Sequence, residues 1–271
     1  MNTFALVVLA TLTGGSTVPT IADVPHTRVR LVAREDAAVA GKPVDVAIVL
    51  ESDEGWHTYW KNPGDAGMAT TVAWTLPAGW KAGELAWPAP AKFQEGTVAT
   101  FGYSGTVWLL SAIDAGKAAA TKSVTLAAHV EWLECREICL PGSADVTLTL
   151  PVKSGAKESQ GPAFERARAR IPADAAGWKV GASWTAKKTL MLAFAPAVGT
   201  VLDDETAFFP EQAGIVEPSA PAKLTAGAKG GYSLELTPAR MAVGAPPMLD
   251  GVLVSGGRAW HVRVPLPPRE I

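Results

Sequence analysis

Short runs of alternating polar and apolar residues recur along this chain, and that period of two constrains its fold more than any other feature. Arg28-Val29-Arg30-Leu31 alternates, and Val44, Val46, Ile48 and Leu50 fall on one face of the next segment. Residues 71–76, 106–113, 123–133 and 145–152 continue the series. Successive side chains of an extended strand point to opposite faces, so each run predicts a strand with one buried face. The runs are rich in β-branched or aromatic residues and are bounded by Gly, Pro or Asp, which favour turns. Strands at this spacing over about 120 residues predict an antiparallel β-sandwich. Residues 62–67 and 77–94, dense in Gly, Pro and Trp, interrupt the pattern and are expected to be mainly loop.

Past Val152 the composition shifts. Residues 153–161 are small and polar, as in a linker, and Pro162 suits the first position of a short helix over 163–170 that Pro172 stops. A second β-rich block follows from about Trp178, with strands expected at 190–194, 232–236 and 249–254. Ser255-Gly256-Gly257-Arg258 then turns the chain into a strand over 259–264. The expected fold class is all-β: two sandwiches, residues 24–152 and 177–268, joined by a linker with a short helix at 153–176. No internal repeat interrupts this plan. At 271 residues, 48% hydrophobic and 18% charged, the chain can bury a full core and is not a disordered polypeptide. Its net charge of -2 lacks the basic surplus that nucleic acid or an anionic membrane surface would demand.

The N-terminus bears on compartment. Residues 4–12 read FALVVLATL, about half of what a bilayer span needs but the length of a signal-peptide core, although no Lys or Arg precedes them. Thr20-Ile21-Ala22 offers a small-residue cleavage site before Asp23, so residues 1–22 are expected to be a signal peptide; a first β-strand is the competing reading. No later stretch reaches the roughly 18 apolar residues of a membrane span. Export would place the cysteines where disulfides form and persist.

There are two cysteines, Cys135 and Cys139, in the segment Trp132-Leu133-Glu134-Cys135-Arg136-Glu137-Ile138-Cys139-Leu140-Pro141-Gly142. A strand runs into Cys135 and three residues turn before Cys139. Three readings compete. As a structural staple, a bridge closing so short a loop contributes only ~2 kcal/mol in the chain-entropy model, and a chain with a full core does not need it. As a zinc site, the pair lacks a second close pair, since the histidines His26, His57, His129 and His261 are scattered. As a redox pair, the two sulfurs are close enough to cycle between dithiol and disulfide. Glu134 and Glu137 outweigh Arg136, so the flanking charge predicts no strongly depressed thiol pKa.

Residues 55–67, reading GWHTYWKNPGDAG, resemble the opening motif of the periplasmic N-terminal region of the DsbD/ScsB thiol:disulfide interchange proteins. Trp87-Pro88-Ala89-Pro90, Phe101-Gly102-Tyr103-Ser104-Gly105 and the cysteine segment follow in the family's order. Phe208-Phe209-Pro210 with Gly214-Ile215 resembles the second part of the ScsB-type region, and the three-residue gap between cysteines is also nearer that type. The resemblance implies immunoglobulin-like sandwiches and a periplasmic protein. It also implies a protein-disulfide reductase component that takes electrons from a membrane-embedded thiol reductase and passes them to oxidised periplasmic proteins, with thioredoxin-like partners. By the same resemblance Cys135 and Cys139 are the exchanging pair, Phe101 and Tyr103 fall in a cap that shields them, and His57 and Tyr59 stand beside them. The family's membrane domain and thioredoxin-like domain are not in this sequence, so the expectation is that a separate membrane protein reduces the chain, that it is an isolated domain, or that it has kept the fold and lost the electron route. No cofactor or metal is expected.

Four tryptophans in the irregular stretch, Trp56, Trp60, Trp80 and Trp87, fit either a partner-docking face or the packing of a long loop onto the sandwich. Glycine pairs at 14–15 and 230–231 lack the strand-to-helix setting of a phosphate loop, and Asp203-Asp204 reads as a turn. The competing functional class is a non-catalytic β-sandwich interaction protein whose disulfide is structural and whose loop tryptophans carry recognition.

Overall fold

The computed structural model describes residues 22–24, 26–116, 122–227, 230–239 and 247–268. The apolar segment 4–12 lies outside the described residues. Among the described residues the strands, numbered in chain order, form four sheets. The first has the order β1 (Ala22–Val24), β2 (Thr27–Ala33), β4 (Val44–Ser52), β10 (Thr106–Asp114), β7 (Lys81–Ala82). Facing it is a seven-stranded sheet: β3 (Ala38–Val39), β12 (Cys139–Lys153), β11 (Ser123–Cys135), β5 (His57–Gly64), β9 (Val98–Ser104), β8 (Ala91–Glu95), with β6 (Thr71–Thr75) also on β11. Together these two sheets form the first sandwich.

The second sandwich has two four-stranded sheets. One runs β13 (Ala173–Asp174), β20 (Arg258–Pro265), β19 (Met248–Ser255), β16 (Ala207–Pro210); the other runs β14 (Lys179–Trp184), β15 (Leu190–Ala195), β18 (Tyr232–Leu236), β17 (Lys223–Ala226). Helix α1 (Gly161–Arg168) lies between the two sandwiches in sequence. Among the described residues no helix is long and apolar enough to cross a membrane.

Alternation explains most of the first core. Val46, Ile48 and Leu50 of β4 point inward to meet Leu126, Val130 and Trp132 of β11 and Leu109 of β10. The intervening Ala47 and Val49 are also buried, because α1 covers the outer face of that sheet with Phe164 and Ala167. The expected linker helix is therefore part of the first sandwich. Phe164 is 1% exposed and meets Trp108 edge-on at 5.5 Å, a burial that contributes about 2 kcal/mol. Arg34, bonded to Glu158 at 2.7 Å and Glu165 at 3.0 Å, ties both ends of this segment down.

Two expectations for the irregular stretch change. Residues 91–94, expected as loop, belong to strand β8, which pairs with β9 in a hairpin. Trp56, Trp60 and Trp80 are buried and Trp87 packs against the core, so the loop tryptophans are packing residues and present no docking face. The second sandwich closes around Leu192, Leu234, Leu253 and Val262, while Phe209 and Val252 from it join the core of the first. The two sandwiches thus share an apolar seam behind β5.

Candidate functional site

The longest hairpin in the chain, β11–β12, ends at the cysteines. Its register runs without interruption from Ser123↔Pro151 to Cys135↔Cys139, so Arg136, Glu137 and Ile138 form the tip and the two sulfurs lie side by side. They form a disulfide. Cys135 also pairs with His57 of β5 and Glu134 with Thr58, which puts the bridge on the outer face of the seven-stranded sheet beside His57 and Tyr59. Cys135 is 3% exposed, whereas Cys139 is exposed.

Tyr59, 2% exposed, donates its hydroxyl to Cys135 Sγ at 2.8 Å and reaches Cys139 Sγ at 3.6 Å. Burial, reinforced by the charge of Glu95, pushes its phenol pKa up, so it remains a proton donor across the physiological range. Its ring is fixed from behind by Gly67, which has a φ of 111° and whose place no residue with a Cβ could take without overlapping that ring. The sequence run from Tyr59 to Gly67 is therefore a strand that bulges out and folds back to clamp its own tyrosine.

His57 lies with its ring edge toward Tyr59 at 5.2 Å and stacks flat on Phe93 at 4.5 Å and 12°. Burial lowers its pKa, partly opposed by Glu95, so the imidazole is neutral near pH 7. Its Nε2 is buried without a hydrogen-bond partner among the described residues. Phe93, Glu95 and Val98 come from the β8–β9 hairpin, whose tip arches over a recess of about 130 Å³ that has both cysteines in its wall. Among the described residues no group of three or more His, Cys, Asp or Glu side chains is placed to hold a metal ion.

Two other placements differ from the sequence reading. Phe101 and Tyr103 do not line this recess. On β9 Thr100 lines the recess, so residues 101 and 103, one and three positions on, face the opposite side and enter the core. Phe101 packs against Phe209 at 5.1 Å, and the Tyr103 hydroxyl donates to the Pro88 carbonyl at 2.7 Å. The phenylalanine that lines the recess with the cysteines is Phe93, stacked on His57, and the parity of β9 is the signal that separates it from Phe101 and Tyr103. Glu134 likewise turns inward, fully buried, and accepts from Trp132 Nε1 at 3.3 Å, so its charge does not face the sulfurs.

Residues 28–151 match the family model of thiol:disulfide interchange protein DsbD, N-terminal. The first sandwich belongs to this family. Its fold extends further: the N-terminal periplasmic domain of ScsB from Proteus mirabilis superposes with a TM-score of 0.69 at 18% identity, covering 93% of this chain and 99% of that one. The likeness therefore includes the second sandwich. The periplasmic chaperone SfaE matches at 9% identity over 87% of this chain and 98% of its own, with a TM-score of 0.22. A comparison with curated proteins found no match. Family and disulfide together make the first sandwich a thiol-disulfide interchange module.

Proposed function

We propose that the chain is a periplasmic electron relay, reduced by a membrane-embedded thiol reductase and oxidised in turn by periplasmic disulfide proteins, with thioredoxin-like folds as its partners. The observation that carries this reading is the unequal exposure of the two sulfurs under one hydrogen-bond donor. A partner thiolate can reach Cys139, which is exposed, and not Cys135. Attack on Cys139 Sγ forms a partner–Cys139 disulfide and breaks the Cys135–Cys139 bond, and the electron pair leaves on Cys135 as a thiolate. The Tyr59 hydroxyl already points at that sulfur, so the leaving charge is met by a donor that needs no reorganisation. The partner's second thiolate then attacks its own bridged sulfur, closes the partner's disulfide and releases Cys139. Two electrons and two protons have entered the pair, and the same steps in reverse deliver them to an oxidised protein.

A purely structural bridge fits this site poorly, because it would join two residues that the hairpin register already pairs. The rim supports docking instead. Ile138, between the cysteines, is 63% exposed, and Val98 of the overhanging hairpin and Met68, next to the clamping glycine, are each 44% exposed. Apolar side chains ringing a reactive sulfur suit a partner that presents its own thiol from an apolar surface.

The test is mixed-disulfide trapping in a periplasmic extract. Cys135→Ser leaves the reachable sulfur without its resolving partner and is expected to accumulate a mixed disulfide with a thioredoxin-like protein. Cys139→Ser, retaining only the buried sulfur, is expected to trap little. If neither variant captures a thiol partner, the exchange reading is wrong.

A further inference from the structure

Immediately after Tyr59, β5 loses its pairing with β9. Tyr59 stands opposite Gly102 and Gly64 opposite Thr100, so Trp60, Lys61, Asn62 and Pro63 face Phe101 alone. A bulge this wide has no ladder to hold it, and it lies next to the residue that bonds Cys135. Its anchors come from the second sandwich, and there is one for each of three consecutive residues. Trp60, fully buried, packs edge-on against Phe209 at 6.4 Å. Lys61 Nζ lies 2.6 Å from Glu211 Oε1, an oxygen that His261 Nε2 also approaches at 3.3 Å. Asn62, 4% exposed, accepts the Gly64 N–H at Oδ1 (3.2 Å) and donates from Nδ2 to the Pro210 carbonyl at 2.7 Å.

We infer that the second sandwich is a positioning element of the exchange site: Phe209 and the Pro210 carbonyl hold the β5 bulge through Trp60 and Asn62, and so keep the Tyr59 hydroxyl on Cys135 Sγ. None of these residues touches a sulfur, so they act through Tyr59. The inference rests on the exchange reading above and gives the second sandwich a task within it.

The experiment is a double-mutant cycle on the full chain, read as the rate at which dithiothreitol reduces the disulfide. Asn62→Asp keeps the acceptor for Gly64 and removes the donor to Pro210. Phe209→Leu keeps an apolar side chain in the seam and guards against the fold being lost to a buried charge. Each is made alone and on Tyr59→Phe. If positioning acts through the hydroxyl, each single variant slows reduction by up to ~3-fold, the ceiling set by losing the whole hydrogen bond to a leaving thiolate, and neither slows Tyr59→Phe further. Equal slowing in both backgrounds, or native rates with only a lower melting temperature, would overturn the inference by showing a merely structural seam. A native rate in Tyr59→Phe itself overturns this inference together with the role given to Tyr59. A slow Tyr59→Phe beside native-rate Asn62→Asp and Phe209→Leu overturns this inference alone.

Discussion

Replacing Tyr59 with Phe removes one oxygen and leaves the ring against Gly67, so it isolates the bond to Cys135. That bond is 2.8 Å long and Tyr59 is 2% exposed, so no water readily substitutes for the lost donor. A hydrogen bond contributes about 0.5–1.5 kcal/mol to a neutral acceptor and about 1.5–3 to a charged one, so the hydroxyl favours the Cys135 thiolate over the uncharged sulfur by about 1–1.5 kcal/mol. At about 1.4 kcal/mol per pH unit, Tyr59→Phe should raise the Cys135 thiol pKa by about one unit. In thiol-disulfide exchange roughly half of the leaving charge has developed at the transition state, so reduction by dithiothreitol should slow ~3-fold. The equilibrium potential should move by less than about 30 mV, because the bond matters only for the fraction of reduced protein that is thiolate. The pKa is read from the pH profile of iodoacetamide alkylation in a Cys139→Ser background, the rate from stopped-flow tryptophan fluorescence. An alkylation profile and a reduction rate both unchanged by the substitution would refute the reasoning, since the hydroxyl donates to Cys135 Sγ at 2.8 Å and lies farther, at 3.6 Å, from Cys139 Sγ.

Three further outcomes follow from the same geometry. Phe93→Ala removes the flat stack on His57, a pair that contributes about 0.5–1.5 kcal/mol, so urea unfolding should lose about that much stability while alkylation of the already exposed Cys139 keeps its rate. Gly67→Ala puts a methyl group into the Tyr59 ring at a φ of 111°; it should cost about 1–3 kcal/mol in urea unfolding and slow reduction as Tyr59→Phe does. Burial depresses the His57 pKa below its usual 6.5, so the unfolded chain takes up a proton that the folded chain refuses until lower pH. Stability from this group is therefore complete above about pH 6.5 and is lost as pH falls through the depressed folded value. His57→Phe, which keeps the stack, should flatten that acid-side loss in urea midpoints collected between about pH 5 and pH 7.5.

The parts of the molecule that were legible in the sequence are those governed by local rules. β4 and β11 announce themselves by alternation, and the cysteine hairpin follows from a strand running into Cys135 and three residues before Cys139. The hairpin β8–β9 was not seen, because Gly96 and the exposed residues around it break the apolar rhythm, and β9 is buried on both faces and so shows no alternation. Ala47 and Val49 carried a signal that α1 packs onto β4, since apolar residues on the face away from the core need a cover. Phe101 and Tyr103 lie near the cysteines in the family motif order, yet strand parity sends both to the other side of the sheet. The contacts of Phe209 and Pro210 with β5 had no local signature at all: a backbone carbonyl 148 residues away in sequence accepts the Asn62 amide, and any residue type at that position offers the same oxygen.

The direction of attack in the proposed exchange has its basis in the hairpin as well. At the tip of β11–β12 the strands end at Cys135 and Cys139 together, but only β11 continues the sheet, paired there with β5, while among the described residues β12 has no further strand at this end beyond β11. Cys135 is therefore enclosed by His57 and Tyr59, and Cys139 is left on the open side next to the exposed Ile138. A sulfur on the open side is the one a macromolecular thiol can approach in line with the S–S bond, and the enclosed sulfur is the one that can be given a fixed donor. Exchanging the two environments would place the donor on the attacked sulfur and leave the departing thiolate unsupported. In the proposed exchange, the sheet edge thus favours attack at Cys139 and departure from Cys135, and Tyr59 need serve only one of them.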